Sequence, residues 1–382
     1  MIKIDVTFKV VTPMFMAGAL QSSKAEIRAP SIKGVLRFWY RALNPKYDPG
    51  EEVRIFGGSK DKEGQAGFLL KITNTQGLAY QAKGDERWSK NPICYLGYGA
   101  ITYNKNNKKF LTERPYIKEG GTFDVSFLIK DTLKKDEVNQ LKKAIWGMTL
   151  LGGLGAKSRK GFGSIQIEKA NGLEVGRLKK LPATYKELKE SIRHLLESIP
   201  KNSGLPKYTA WSDKARCYII PQDGKPLDAL EWLASIILKY RVNRSKKGQN
   251  PNALQFAKGD KKLILDFKNS EKKLTHLPKR AYFGLPHNYF FSSDKSKVDI
   301  YPTIDGKPGR RASPVLFKIY EFETKKTCTL ATYLPAKFLP DTAKLWISLN
   351  GKKTEEIPKS DDFSAVEMLL DKISEEGKGV LI

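Results

Sequence analysis

Five glycines bracket a basic core in the run Leu150-Leu151-Gly152-Gly153-Leu154-Gly155-Ala156-Lys157-Ser158-Arg159-Lys160-Gly161-Phe162-Gly163-Ser164-Ile165. Glycines let a backbone take positive φ and turn N–H groups outward, here beside three cations and a hydroxyl, which is chemistry for holding an anion. A nucleotide-phosphate loop would need Gly-Lys-Ser/Thr opening a helix, whereas these cations precede the last glycine pair and a strand pattern follows, so an NTPase is excluded. The RNA-recognition signature fits better: Lys160-Gly161-Phe162-Gly163 matches its first four positions and Ile165 its sixth. Ser164 stands where that signature has a second stacking aromatic, so stacking rests on Phe162 at most and backbone contacts should outweigh base reading.

A second cationic row is Lys33, Arg37 and Arg41, at i, i+4 and i+8 of a helical pattern. Like charges at that spacing repel, and an anion lying along the row would reverse the sign; the alternative is a solvated helix face. Arg310 and Arg311 form a third basic spot. From Lys239 to Arg280 there are 13 Lys or Arg against three acids, which reads as a flexible basic insertion or a solvated loop. Candidates for catalysis are sparse. The only histidines, His194, His276 and His287, fall outside both the first long loop and the glycine-rich run, and the first loop offers a single carboxylate, Glu26, followed by Arg28. Neither catalytic residues, metal ligands nor a cofactor site is assigned.

The elements that must position these residues follow from periodicity. Residues 2–11 alternate like a strand, and Ser31 is expected to cap a helix carrying Ile32, Val35, Leu36, Trp39 and Leu43 on one side. Strands over 67–73 and 122–129, a helix over 135–151 and a strand over 163–167 complete a βαββαβ order, with the glycine-rich run at the helix-to-strand corner. A helix over 185–199 lies in a linker region, 171–206. After it come a strand at 216–220, a helix over 227–240, a hairpin of 315–322 with 328–334, and a helix over 363–373. The fold class expected is α+β, two tandem ferredoxin-like (RRM-like) domains with insertions, at 1–170 and 207–382, the second holding the basic insertion around 239–280.

Composition restricts the partner. With 68 Lys plus Arg against 41 Asp plus Glu, the net charge of +27 favours a polyanion. No terminal amphipathic helix or long apolar run points to a membrane, and nucleic acid is the expected partner. Cys94, Cys217 and Cys328 are too far apart and too few for a disulfide framework or a zinc site, and a cytoplasmic location is expected.

The motifs Thr12-Pro13-Met14-Phe15-Met16-Ala17-Gly18-Ala19, Ile27-Arg28-Ala29-Pro30-Ser31-Ile32-Lys33-Gly34-Val35-Leu36-Arg37-Phe38-Trp39-Tyr40-Arg41 and Gly152 to Gly163 resemble the RAMP superfamily, most closely the first subunit of Cmr (type III-B) CRISPR effector complexes. Tyr282-Phe283-Gly284-Leu285-Pro286 and Arg310-Arg311-Ala312-Ser313-Pro314 look like the same subunit; the 239–280 insertion has no counterpart to align. The resemblance implies a non-catalytic place in an antiviral ribonucleoprotein, with the other complex subunits, the 3′ part of the guide RNA and target RNA as partners. On the combined reading, Lys33, Arg37, Arg41, Lys157, Ser158, Arg159, Lys160, Phe162, Arg310 and Arg311 are the RNA-binding candidates. The competing readings are an endoribonuclease of the superfamily, either guide-processing or metal-dependent through Glu26, and a general structural RNA-binding protein.

Overall fold

Alternation makes Ile2–Val10 (β1) a strand with Ile4, Val6 and Phe8 inward, and it lies inside a four-stranded antiparallel sheet. The computed structural model describes all residues except 21–22, 61–62, 90, 243, 246–247, 271–272 and 323–325. Helices Ala29–Leu43 (α1) and Pro49–Phe56 (α2) follow β1, then strands Phe68–Asn74 (β2) and Thr122–Ile129 (β3), helix Lys135–Leu151 (α3) and strand Ile165–Asn171 (β4). The sheet order is β2-β3-β1-β4, with Ile4 opposite Phe127 across the β1–β3 pair. Helices α1 and α3 pack together over its apolar face, burying Ile32, Leu36, Trp39, Leu141, Ile145 and Met148 with the inward side chains of β1 and β3. At about 25 cal/mol per Å² of apolar surface removed from water, these large side chains supply most of the drive for this half.

Three expectations shift. The first helix begins two residues before Ser31: Arg28 is the extended cap residue, and Pro30 sits in the first turn, where its fixed φ suits a helix and its missing N–H costs nothing. Tyr185–Glu197 (α4), in the expected linker, buries Leu188, Ile192 and Leu195 in the same core as α3. The third concerns the 239–280 insertion.

The second half repeats the strand arrangement. Arg216–Asp223 (β5), Val315–Glu321 (β6), Lys326–Tyr333 (β7) and Val380–Leu381 (β8) form a sheet ordered β6-β7-β5-β8, so that in both sheets the strands stand second, third, first, fourth by chain position. Pro226–Arg241 (α5) and Ser364–Glu376 (α7) pack against each other beside it. Between α5 and β6 lies Gln255–Ser270 (α6), a helix where a flexible segment was expected; Phe256, Ala257, Ile264 and Phe267 are buried, which holds it down despite its lysines. Residues 243, 246–247 and 271–272 of that insertion lie outside the described set. A further sheet, His287–Phe290, Lys297–Ile304, Lys307–Pro308, Ala343–Leu349 and Lys353–Glu356, extends this half. Among the described residues, no helix is long and apolar enough to cross a membrane.

Candidate nucleic-acid interface

The glycine-rich run leaves the end of α3 and reaches β4 by passing along β6 of the other half. Gly155 and Gly163 take φ of +84° and +60°. A Cβ at Gly155 would come within 2.6 Å of the Phe15 carbonyl oxygen, and one at Gly163 would overlap that of Leu154, so only glycine permits these approaches. The loop is then stitched across the seam. Phe317 N–H donates to the Arg159 carbonyl (3.1 Å), Ile319 N–H to Ser164 Oγ (3.0 Å), and buried Lys318 Nζ to the Gly152 and Ile165 carbonyls (3.0 and 2.5 Å). Thr12 Oγ1 donates to the Gly161 carbonyl at 2.7 Å and accepts from Ser164 N–H at 2.9 Å.

This geometry alters what the loop can offer an anion. The amides of Leu154, Ala156, Lys160, Gly163 and Ser164 all donate within the protein and are closed to an anion. The cations lie between them. Lys157 sits at a left-handed φ of +63°, Ser158 and Arg159 follow in the turn, and all four residues 157–160 are partly exposed. Among the described residues no salt bridge joins Lys157, Arg159 or Lys160 to a carboxylate. Burial and the nearby Arg241, Lys157 and Arg159 push the Lys160 ammonium down to about 7; burial and Arg311 push Arg159 down to about 10; burial and Arg114 lower Lys157. Arg159 is also a strut, donating to the Ser313 carbonyl and lying 4.9 Å over the Phe38 ring.

The same strut brings the third basic spot to the corner. Arg311 donates to Thr209 Oγ1 at 3.2 Å, while its Nε and Nη2 are buried without a hydrogen-bond partner; Arg310 is exposed. Arg241, at the end of α5, and Arg114 join the group through the charge they exert on Lys160 and Lys157. Neither was singled out in the sequence: Arg114 carries no local signal, and Arg241 was visible only as part of the 239–280 charge imbalance.

The helix row behaves otherwise. Arg41 makes a two-pronged pair with Glu52 of α2 (Nε–Oε2 2.7 Å, Nη2–Oε1 2.5 Å), and Arg37 approaches the same carboxylate at 3.4 Å while donating to the Phe56 and Gly57 carbonyls. Glu52 is buried, and its bonding holds the Arg41 guanidinium above its usual range. Along α1, Arg37 and Arg41 thus share the one carboxylate of Glu52, while Lys33 lies over the Phe68 ring at 5.8 Å, its ammonium lowered by burial and by Arg37. Phe162 is also unavailable. It is fully buried between Phe15 and Trp88, with ring centroids 5.4 and 6.1 Å away, so it presents no face to a base.

Of the groups with catalytic potential, Glu26 pairs with Arg28 at 3.6 Å. His287 is pushed down to about 3 by burial and by Arg241 and Arg280, which keeps it neutral at physiological pH. His194 lies on α4, and His276 is exposed after α6.

Comparison with known proteins bears on this site. Residues 7–166 match the model of the RAMP superfamily. The chain is 24% identical over 216 residues to CRISPR system Cmr subunit Cmr1-1 of Pyrococcus furiosus, across 52% of this chain and 60% of that protein. It is 26% identical over 179 residues to Cmr subunit Cmr1-2 of the same organism, across 42% of this chain and 92% of that protein. The apo crystal structure of Cmr1 from P. furiosus superposes with a TM-score of 0.58 at 16% identity, covering 100% of this chain and 98% of that one. A chain of the type III-B Cmr-beta complex bound to cognate target RNA superposes with a TM-score of 0.52 at 15% identity, covering 98% and 99%. These likenesses show the α+β fold, with its antiparallel sheets, to be shared.

Proposed function

We propose, from the match of residues 7–166 to the RAMP superfamily, that the protein is a non-catalytic RNA-binding subunit of a Cmr (type III-B) CRISPR effector complex. It holds the 3′ part of the guide RNA, target RNA, or both, through phosphate contacts at the seam between its two halves. The observation that carries the reading is the cation group at the glycine corner, Lys157, Arg159 and Lys160 with Arg241 and Arg311, left without salt-bridged carboxylates among the described residues. A phosphate chain there would relieve the mutual repulsion and offset the cost of desolvating the cations. The shared strand order of the two sheets supports a tandem ferredoxin-like architecture, and the target-RNA-bound Cmr-beta relative supports RNA as the polyanion. Glu26 tied to Arg28 and His287 held neutral support the non-catalytic role.

The test is the salt dependence of binding to single-stranded RNA. Replacing Lys157 and Lys160 with alanine is expected to weaken binding almost independently of sequence and to flatten log K against log salt by about 1.4–1.8 units, some 0.7–0.9 per lost phosphate contact. An unchanged slope removes the corner from the site. Incubated with Mg²⁺ or Mn²⁺, the purified protein is expected to leave RNA intact; metal-dependent products lost in Glu26→Ala would instead establish a nuclease. Tagged protein from its native cell is expected to bring down other complex subunits and a short RNA.

A further inference from the structure

With Phe162 buried and the half-buried Phe38 ring lying under Arg159, the described residues of the corner offer cations but no uncovered ring, yet an unpaired strand is normally held by both. The ring lies on a different loop. Beyond the short helix Ile93–Leu96, the chain turns through Gly97-Tyr98-Gly99, and Tyr98 is 69% exposed, the most exposed aromatic side chain in the tyrosine-rich 95–103 stretch. Phe162 is the floor of that turn: a Cβ on Gly97 would lie 3.3 Å from Phe162 Cζ, so the absence of a side chain there lets the turn settle onto the buried ring. Gly99, at φ +91°, faces the cation corner, since a Cβ there would lie 3.5 Å from Lys157 Nζ. Tyr98 is therefore one residue from the contact with Lys157.

The turn is built rather than loose. Gly97 N–H donates to the Ile93 carbonyl (3.0 Å), and the amides of Ala100 and Ile101 donate to that of Gly97 (2.8 and 2.9 Å). Arg114 approaches from the adjoining hairpin, where Glu113 N–H donates to the Ala100 carbonyl at 2.9 Å; the Glu113 carboxylate itself accepts from the Thr102 hydroxyl. Among the described residues neither Lys157 nor Arg114 has a salt-bridged carboxylate. A solvent-facing ring on a fixed turn, one residue from the backbone position that Lys157 approaches, with Arg114 acting on Lys157 from the adjoining hairpin, has the composition that takes a base on its face and the adjoining phosphate on the ammonium, with little ordering to lose on binding.

We infer that Tyr98 is the base-stacking position of this surface, holding an unpaired RNA base against its ring while Lys157 holds the neighbouring phosphate; this rests on the RNA-binding reading above. Stacking on a phenol ring discriminates weakly among bases, so the position selects single-stranded over duplex RNA and leaves sequence to base pairing elsewhere.

The experiment measures affinity and salt slope for single-stranded oligoribonucleotides, intact or with one abasic position moved along the strand, using the full chain and its Tyr98→Ala, Tyr98→Phe and Lys157→Ala variants. Tyr98→Ala is expected to weaken binding by about 5- to 150-fold with the slope unchanged, Tyr98→Phe to bind like the unaltered protein, and one abasic position to erase the difference between Tyr98→Ala and the unaltered chain. Thermal melting should not move, because the ring is exposed. Unaltered affinity in Tyr98→Ala, or a loss that no abasic position erases, overturns the stacking assignment while the function stands, provided Lys157→Ala still flattens the slope. A flat, salt-independent response in the unaltered chain would instead sink the RNA-binding reading itself.

Discussion

The cations of α1 and those of the glycine corner sit on the same half of the protein and differ in what reaches them. Arg37 and Arg41 converge on one buried carboxylate, Glu52, whose helix α2 is tucked against α1 through Ile55 and Phe56. The corner faces β6 and the Arg310-Arg311 segment, which bring to it carbonyl oxygens and more cations. In one place the guanidiniums are parts of the scaffold. In the other, burial first and neighbouring cations second push Lys160 down to about 7 and Arg159 to about 10, and an incoming phosphate would offset the positive charge gathered there. Density of Lys and Arg is therefore a poor guide to a binding surface until the counter-charges have been located.

The largest effect that tests this contrast is on stability. Glu52→Gln should leave two guanidiniums beside a neutral amide and cost about 2–3 kcal/mol, below the ~3–5 kcal/mol for breaking a fully buried pair because both arginines reach solvent. A shift of the denaturant midpoint at constant m would show it; a neutral substitution would mean that α1 does not depend on Glu52 and that the contrast is false.

Next is pH. Only charged Lys160 attracts phosphate; its ammonium is present below about 7 and lost above it, and a bound phosphate holds the proton on. RNA affinity should thus fall about tenfold between pH ~6 and ~8, about 1.4 kcal/mol. Lys160→Arg should flatten that profile, since a guanidinium stays charged throughout. Titration of binding across this range in both proteins checks the sign.

The smallest expected change sharpens the comparison most. Arg37→Ala with Arg41→Ala should leave the salt slope for RNA where it was, even as stability drops, whereas Lys157→Ala with Lys160→Ala flattens it. If the α1 pair moved the slope by a full contact, about 0.7–0.9, that row would return to the interface.

Much of the scaffold was legible because it is written in local periodicity. The helix at 135–151, the strand at 122–129 and the hairpin of 315–321 with 326–333 all appear close to their expected bounds. Expectations that depended on what covers a segment fared differently. The 239–280 stretch was read from its lysines, yet α6 is held by four apolar side chains spaced along one side. Phe162 was read from a motif shared with proteins that expose the ring, and here the Gly97 turn and Trp88 close over it. Tyr98 was visible only as part of a tyrosine- and glycine-rich segment, with no sign that Lys157 would come beside it.

By itself the sequence determined that this chain is strongly cationic, that it alternates strands and helices in a βαββαβ order in its first half, and that a glycine-rich basic corner joins α3 to β4. Such features depend on residues a few positions apart, so each stretch of chain carries its own information about them. Which cations are free was decided by the tertiary structure alone. Charge interactions act through space at a few ångströms, and Glu52 meets Arg41 while Arg311 meets Arg159 only after helices and sheets have packed.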